Sequence, residues 1–255
     1  MIAKTEEEIK NLRKAGKILG DILRELSAMV KEDVSTAAFD LAAEKLIRAQ
    51  GAKPAFLGYK PDSATFPYPA TLCVSIDDEV VHGIPAADRF LKKGELVMLD
   101  LGLSYNGYFS DAAVTVCVGE CDAAGKKLID ASREASKEAI KAARVGGHVG
   151  DIGAAVERVA KKYNLGVVEE LGGHGIGKVP HEKPYISNVG KMGQGEKLVE
   201  GLVIAIEPIL TEGKSGEVYL AEDGWTYKTS DGTRSAEIEH TVLITKNGPE
   251  ILTLL

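Results

Sequence analysis

The chain reads LVMLDLGLSYNGYFSDAAVTVCV from residue 96 to residue 118, and the fold can be worked out from this stretch. Asn106-Gly107 lies between two apolar runs, which is the strongest short signal for a β-hairpin, because the tight turn needs positive φ at both positions. With that turn, Asp100 lies opposite Ala113 and Gly102 lies opposite Asp111. The two aspartates then become diagonal neighbours on one face of the sheet, roughly 7–8 Å apart at the backbone.

Both aspartates belong to strands that look buried on both faces, where a carboxylate is unusual without a partner. Three further side chains of the ligand type stand beside apolar or glycine-rich segments: Glu207, Glu239 and His174. Four carboxylates and one imidazole in one core would be too costly to bury without cations. This mixed nitrogen and oxygen set suits Mn, Fe, Co or Zn, so the sequence predicts a metal centre.

Bulk composition excludes several classes of protein. With 255 residues, of which 44% are hydrophobic and 27% charged, the chain can bury a large core as a globular protein. The net charge of −7 argues against a nucleic-acid groove or a lipid-docking face as the main function, although a local basic patch remains open. Because no apolar run reaches the length of a membrane span and no apolar signal core follows the charged start, we expect a cytoplasmic protein.

The cysteines support the same expectation. Cys73, Cys117 and Cys121 are too few for a closed disulfide framework, which fits a reducing compartment. The close pair, Cys117 and Cys121, is a weak zinc signal, and we interpret it as packing.

The order of elements repeats along the chain. Periodicity and caps predict helices over residues 5–30, 35–50, 122–145 and 151–163, and strands over 70–76, 96–103, 107–118, 202–210 and 236–245. Two helices, a loop and a carboxylate-bearing hairpin therefore occur twice. No low-complexity linker separates the halves, so we expect one α+β domain over residues 1–255, with the site between two pseudo-symmetric halves.

The histidines divide into different roles. His174 lies among glycines at 172–177, whose spacing matches no phosphate-binding loop and is better explained by backbone held close to a ligand. Seven residues later comes His181, which could move protons or polarise a substrate beside the metal ligands. His82, taken alone, is an ordinary core or turn residue, and we assign His148 and His240 to structure or surface. Together the residues indicate metal-dependent hydrolysis.

Several segments together resemble the methionine aminopeptidases, in their short type I, bacterial form. This family belongs to the pita-bread metallopeptidases, which also include proline-specific peptidases. The resemblance is carried by the opening helix and by SIDDEVVHGIP at 75–85, MLDLG at 98–102, YFSDAAVT at 108–115, GGHGIG at 172–177, IEPIL at 206–210, DGWT at 223–226 and AEIEHT at 236–241. It implies a pita-bread fold, with helices packed on a mostly antiparallel sheet in each half.

The resemblance also implies roles for individual residues. Asp100, Asp111 and Glu239 would bind one divalent ion, and Asp111, His174, Glu207 and Glu239 another, with Asp111 and Glu239 bridging. Glu207 would also accept the proton of the attacking water, while His181 contacts the scissile amide and His82 assists at the leaving side. The methionine pocket would consist of Tyr59, Tyr68, Cys73 and Trp225.

The expected reaction is removal of N-terminal methionine from nascent chains and peptides whose second residue is small. We expect a monomer with no nucleic-acid substrate and no membrane partner, and association with ribosomes stays open. Phe56, Pro180 and a long 60–67 loop depart from the family pattern, which implies rebuilt pocket walls.

Two rival functions were weighed. A proline-specific peptidase could use the same ligands but usually carries an extra N-terminal domain. A binding protein that kept the fold without its metals should lack ligands, whereas all five are present.

Overall fold

The computed structural model describes residues 1–62 and 64–254. Its helices are α1 (Glu6–Ala28), α2 (Thr36–Ala49), α3 (Ala123–Ala142) and α4 (Val149–Tyr163). Its strands are β1 (Lys53–Pro54), β2 (Leu72–Ile76), β3 (Glu79–Val81), β4 (Leu96–Tyr105), β5 (Tyr108–Cys117), β6 (Gly166–Val167), β7 (Gly172–Gly175), β8 (Glu182–Ser187), β9 (Val203–Ile206), β10 (Ile209–Thr211), β11 (Val218–Leu220), β12 (Tyr227–Thr229), β13 (Ser235–Glu237), β14 (His240–Thr245) and β15 (Gly248–Ile251). Within the described residues, no helix is long and apolar enough to span a membrane.

The β4–β5 hairpin confirms the predicted register. Asn106 and Gly107 have φ values of 51° and 78°, as the tight turn requires. Asp100 pairs with Ala113, and Gly102 pairs with Asp111. Because successive strand residues alternate between faces, the two aspartates lie on one side of the hairpin.

Each half of the molecule packs two helices on antiparallel strands, as the α+β pita-bread class predicts. In the first half, α1 and α2 cover a sheet in which β4 pairs with β1, β2 and β5. In the second half, α3 and α4 pack against the sheet β15-β14-β9-β7-β8 and the sheet β13-β10-β6. Leucine, isoleucine and alanine side chains fill the resulting cores, which hold the sheets rigidly enough to position polar groups between them.

A polar seam joins the two halves along β5. Thr241 on β14 is fully buried, and its Oγ1 accepts from the Asp111 backbone N–H at 2.9 Å and donates to the Asp111 carbonyl at 2.7 Å. The Glu239 N–H donates to the Ala113 carbonyl at 2.9 Å. These bonds satisfy buried backbone groups on both sides and bring the carboxylate of Asp111 on β5 next to those of the second half.

Two expectations require correction. Glu207 and Glu239 were each expected within a strand, but they occupy the gaps between β9 and β10 and between β13 and β14. Cys117 and Cys121, interpreted as packing thiols, are joined by a disulfide, because the turn after β5 brings their Cα atoms to 5.8 Å. Cysteine usage therefore carries no argument for a reducing compartment.

Candidate metal centre

Five ligand-type side chains meet at the floor of one cavity. Asp100 and Asp111 come from β4 and β5, His174 from β7, and Glu207 and Glu239 from the breaks that follow β9 and β13. Their ligand atoms form overlapping groups within which all atoms lie within 4.8 Å of one another. One group is Asp100, Asp111 and Glu239, and another is His174, Glu207 and Glu239.

Strand breaks place the two glutamates face to face. β9 and β14 pair Ile206 with His240, and β10 and β13 pair Ile209 with Glu237. This register continues across both gaps, so that Glu207 stands opposite Glu239. Pro208, which lacks an N–H, interrupts the ladder at this point and lets the strands part around the carboxylates.

The orientation of His174 is determined by its own backbone. Its Nδ1 lies 3.0 Å from the Gly175 carbonyl and donates to it, which leaves the Nε2 lone pair directed at the carboxylates. Nε2 lies 3.9 Å from Asp111 Oδ2 and 3.8 Å from Glu207 Oε1. Burial, reinforced by nearby His181, lowers the pKa of His174 to about 3, so its imidazole is neutral as a metal ligand must be.

The surrounding glycines allow this approach, as expected. A Cβ on Gly173 would collide with the Ala205 carbonyl, and one on Gly175 would collide with the Lys183 carbonyl. Glycine therefore lets β7 lie close between β9 and β8 with His174 at its centre.

The carboxyl groups resist ionisation because they are buried together. Burial raises the pKa of Asp100 to about 7 and, with help from Asp100, that of Glu207 to about 8. Burial followed by neighbouring carboxylates raises the pKa of Asp111 and Glu239 well above their usual range. A protein holds such a cluster at neutral pH only with protons or cations.

The residues fit divalent ions. Bonds of about 2.0–2.2 Å place two ligand atoms of one ion roughly 3–4 Å apart, as Nε2 of His174 and its two carboxylate neighbours are. Oδ1 of Asp111 is buried without a hydrogen-bond partner among the described residues, which leaves a lone pair free for a cation. His181 also lies within reach, grouped with Asp111 and His174, so it is a further possible donor.

An apolar pocket opens directly beside the ligands in the same cavity, whose volume is about 330 Å³. Tyr68, Cys73 and Trp225 form its packed wall, and Tyr59 lines it near the mouth. The Tyr68 and Trp225 rings meet edge to face at 5.1 Å, and Tyr68 Oη donates to the Gly83 carbonyl at 2.9 Å. All four residues assigned to the methionine pocket from the sequence therefore lie together.

Two further histidines complete the cavity wall. His181 stacks near Tyr59, with ring centroids at 5.1 Å, and its ring lies 4.2 Å from that of His174. His82 has a left-handed backbone with φ of 60° and packs edge to face on Trp225 at 6.0 Å. Burial and then His181 lower the pKa of His82 to about 4, so it is neutral near pH 7. A non-glycine residue in this conformation is uncommon and often marks a functional site.

Sequence reasoning missed one ionisable member of the cavity, Glu237. It is only 2% exposed, and its Oε2 finds no hydrogen-bond partner in the described part of the chain. Burial, followed by Glu207, raises its pKa well above the usual range. The signal was present in AEIEHT, because residues two apart in an extended segment share a face, and Glu237 precedes Glu239 by that spacing.

Other expectations have mixed outcomes. Phe56 lines the cavity as a wall residue, whereas Pro180 does not line it. The 60–67 loop includes residue 63, which lies outside the described residues. His148 caps α4, and His240 lies beside Thr253, with Nδ1 2.9 Å from its carbonyl, so both have structural places as expected.

Comparisons with known proteins identify close relatives of this architecture. The sequence profile of metallopeptidase family M24 matches residues 10–246. A methionine aminopeptidase of Aquifex aeolicus is 44% identical over 98% of each chain. The crystal structure of methionine aminopeptidase from Rickettsia prowazekii superposes with a TM-score of 0.94 at 37% identity, covering 100% of both chains.

The proline-specific branch matches less completely. A prolidase from Pyrococcus horikoshii superposes with a TM-score of 0.74 at 26% identity. The match covers 99% of this chain but 63% of the prolidase, which is therefore the longer protein.

Proposed function

The chain belongs to metallopeptidase family M24, among its methionine aminopeptidases, and from this premise we propose that it removes N-terminal methionine from chains whose second residue is small. One observation carries the proposal: a cluster of metal-ligand side chains and an aromatic, sulfur-containing pocket share one cavity. The pocket would hold the methionine side chain while the ligand cluster acts on the adjacent peptide bond.

We assign the ligands to two divalent ions, Co, Mn, Fe or Zn. Asp100, Asp111 and Glu239 would hold one ion, and Asp111, His174, Glu207 and Glu239 the other, with Asp111 and Glu239 shared. The overlapping groups of ligand atoms support this assignment. Such ions supply Lewis-acid polarisation of the scissile carbonyl and acidify a nearby water.

The protein's own groups would handle protons and orientation. Glu207, whose carboxylate lies within the group of ligand atoms, would take the proton of the attacking water. His181 would donate a hydrogen bond to the scissile amide, and His82, which packs on Trp225, would assist at the leaving side. Both imidazoles have lowered pKa values through burial and therefore act as neutral groups.

The pocket would select an unbranched thioether. Tyr59, Tyr68 and Trp225 offer ring faces and edges to the sulfur, and Cys73 adds a small polarisable wall. Charged first residues would be desolvated without partners. His82 and His181 line the same cavity and would crowd the second residue of the substrate, which would restrict it to a small one.

For the whole protein, we propose a single catalytic domain spanning residues 1–255. It would act as a monomer in the cytoplasm on nascent chains, and association with ribosomes stays open. A metal-free binding protein is disfavoured because the full ligand set converges. The proline-specific rival is disfavoured because the prolidase is less similar, with a TM-score of 0.74 at 26% identity against 0.94 at 37% for the methionine aminopeptidase.

The test compares hydrolysis of Met-Ala, Leu-Ala, Met-Leu and Ala-Pro peptides with and without added Mn or Co. We expect Met-Ala to be cleaved fastest and only with metal, and Leu-Ala to be a poor substrate, because packing discriminates by about 1–3 kcal/mol per methylene. Preference for Ala-Pro would move the protein to the proline-specific branch. Equal use of Met-Ala and Met-Leu would show that Phe56 and the 60–67 loop open the site.

A further inference from the structure

Tyr185 lies beside the metal centre on the outermost strand of the second-half sheet. β8 forms one edge of the sheet β15-β14-β9-β7-β8, and Tyr185 is the cross-strand partner of His174 on β7. Residues directly opposite each other in an antiparallel pair project from the same face of the sheet. The side chain of Tyr185 therefore lies on the face from which His174 reaches the carboxylates.

The neighbours of Tyr185 agree with this orientation. Pro184 and Ile186 are buried, and Ile186 belongs to the core that α3 and α4 cover, whereas Tyr185 is 50% exposed. Its ring lies along β7, because a Cβ on Gly172 would come to 3.0 Å from the Tyr185 Oη. Burial and then the nearby Glu207 carboxylate raise the pKa of the phenol, so it keeps its proton at neutral pH. A half-exposed ring with a hydroxyl that can donate thus borders the ligand cluster.

The order of the strands places Tyr185 at the opposite end of the site from the methionine pocket. On the first-half side, Cys73 of the pocket wall pairs with Asp100, and β4 in turn pairs with β5, which carries Asp111. Beyond the polar seam come β14, β9, β7 and β8, with His174 on β7 and Tyr185 on β8. A line from the pocket across the ligand cluster therefore leads to Tyr185.

The distance along that line fits the third residue of a substrate. Neighbouring strands lie about 4.8 Å apart, so Tyr185 is one strand spacing beyond His174. Because an extended chain advances about 3.3 Å per residue, the third residue lies ~5 Å past the bond between the first and the second. Tyr185 also lies outside the lining of the cavity that holds the ligands, as a contact beyond the second residue should.

We propose that Tyr185 binds the third residue of the substrate, an inference that rests on the proposed cleavage of N-terminal methionine. The ring would pack against the third side chain, and the hydroxyl would donate a hydrogen bond to the backbone carbonyl of the same residue. A contact of this kind holds substrate and transition state alike, so it lowers KM more than it raises kcat. Tyr185 thus makes the enzyme prefer longer chains to dipeptides.

The test compares hydrolysis of three C-terminally amidated peptides, Met-Ala, Met-Ala-Gly and Met-Ala-Leu, by the full chain with saturating Mn. Tyr185→Ala should lower kcat/KM for Met-Ala-Leu by about tenfold, mainly through KM, because ring packing and a hydrogen bond are both lost. The loss for Met-Ala-Gly should be about threefold, since its third residue offers only backbone, and the loss for Met-Ala less than about twofold. Tyr185→Phe keeps the ring, so it should lose about threefold on both tripeptides.

The matched control is Phe90→Ala. Phe90 is 51% exposed and lies beside the start of α2 through its bridge to Ser35, outside the lining of the cavity. Its substitution removes an aromatic ring of similar exposure and should leave the hydrolysis of all three peptides unchanged. Metal content by atomic spectroscopy should equal that of the unmodified chain in every variant, which separates a substrate contact from support of His174.

Equal losses on all three peptides in Tyr185→Ala, or a loss accompanied by reduced metal content, would overturn the inference and make Tyr185 a packing partner of His174. Tripeptide hydrolysis unchanged by either substitution would also overturn it, while the proposed function would stand. An unmodified chain that cleaves none of the three peptides with Mn would refute the proposed function, and the inference with it.

Discussion

At the scale of single residues, the metal centre depends on side chains that serve more than one neighbour. Asp111 lies in two of the groups of ligand atoms, next to both His174 and Glu239. Its backbone is bonded to Thr241, and one of its carboxylate oxygens is free of protein partners in the described structure. Such a residue should affect metal binding more than any side chain that belongs to one group alone.

We predict that Asp111→Ala abolishes metal-dependent activity and metal content together. The variant keeps Glu239 as its one shared ligand, so the charges of both ions would be left poorly compensated. Metal content by atomic spectroscopy and hydrolysis of Met-Ala measure the two effects. Full metal occupancy with unimpaired turnover would refute the assignment.

Substitutions of the two neighbouring histidines, His174 and His181, should have different effects on turnover and on metal affinity. His181→Ala should lower turnover by roughly a hundredfold or more with metal affinity nearly intact, since a positioned hydrogen-bonding group contributes about that much. His174→Ala should instead weaken metal binding, because its Nε2 faces the carboxylates. Metal titration by calorimetry beside steady-state kinetics distinguishes them, and the opposite pattern would mean that the roles are exchanged.

At the scale of elements, strand breaks and one polar seam position the site. The gaps after β9 and β13 set Glu207 opposite Glu239, and the hydrogen bonds of Thr241 align β14 with Asp111 on β5. Regular strands would have placed these carboxylates in continuous ladders and packed them against neighbouring strands. The irregular backbone is therefore what directs them into the cavity.

We predict that Thr241→Val destabilises the protein by about 1–3 kcal/mol, because the isosteric side chain leaves the buried N–H and carbonyl of Asp111 unpaired. Metal affinity should fall as well. Thr245→Val is the control, since Thr245 lies on the same strand and its Oγ1 bonds only within the β14–β15 turn, to the Gly248 carbonyl and the Asn247 N–H. Urea unfolding and metal titration of both variants provide the measurement, and unchanged metal affinity in Thr241→Val would argue against a positioning role.

At the scale of the whole molecule, two helix-covered halves enclose a cluster of acids that folding alone does not neutralise. The carboxyl groups of Asp100 and Glu207 have folded-state pKa values of about 7 and about 8, above the unfolded values near 4. The folded, metal-free protein therefore holds protons that the unfolded chain has lost at neutral pH. Its stability should depend on pH and on metal together.

We predict that the metal-free protein loses stability as pH rises from about 7.5 to about 8.5. In this window the buried histidines are almost neutral in both states, so the raised carboxyl pKa values set the slope. Saturating Mn should remove or reverse the slope, because metal binding requires deprotonated ligands. Thermal unfolding with chelator and with Mn at both ends of the window tests this, and a metal-free protein that gained stability with pH would contradict it.

Local features were predictable from the sequence because neighbouring residues determine them. The turn at Asn106-Gly107 set the β4–β5 register and hence the shared face of Asp100 and Asp111, and capping residues marked the start of α1 at Thr5. The metal ligands could be predicted for a similar reason. A carboxylate inside an apolar strand is unusual whatever the position of that strand in the fold.

The rest depended on contacts between residues far apart in the chain. The opposition of Glu207 and Glu239 and the inward position of Glu237 arise from how the strands break and how the halves pack. Neighbouring residues do not encode these relations, because pairing across long separations is decided by the burial of the whole core. The residue types thus predicted a metal centre, and only tertiary packing determined which side chains could share an ion.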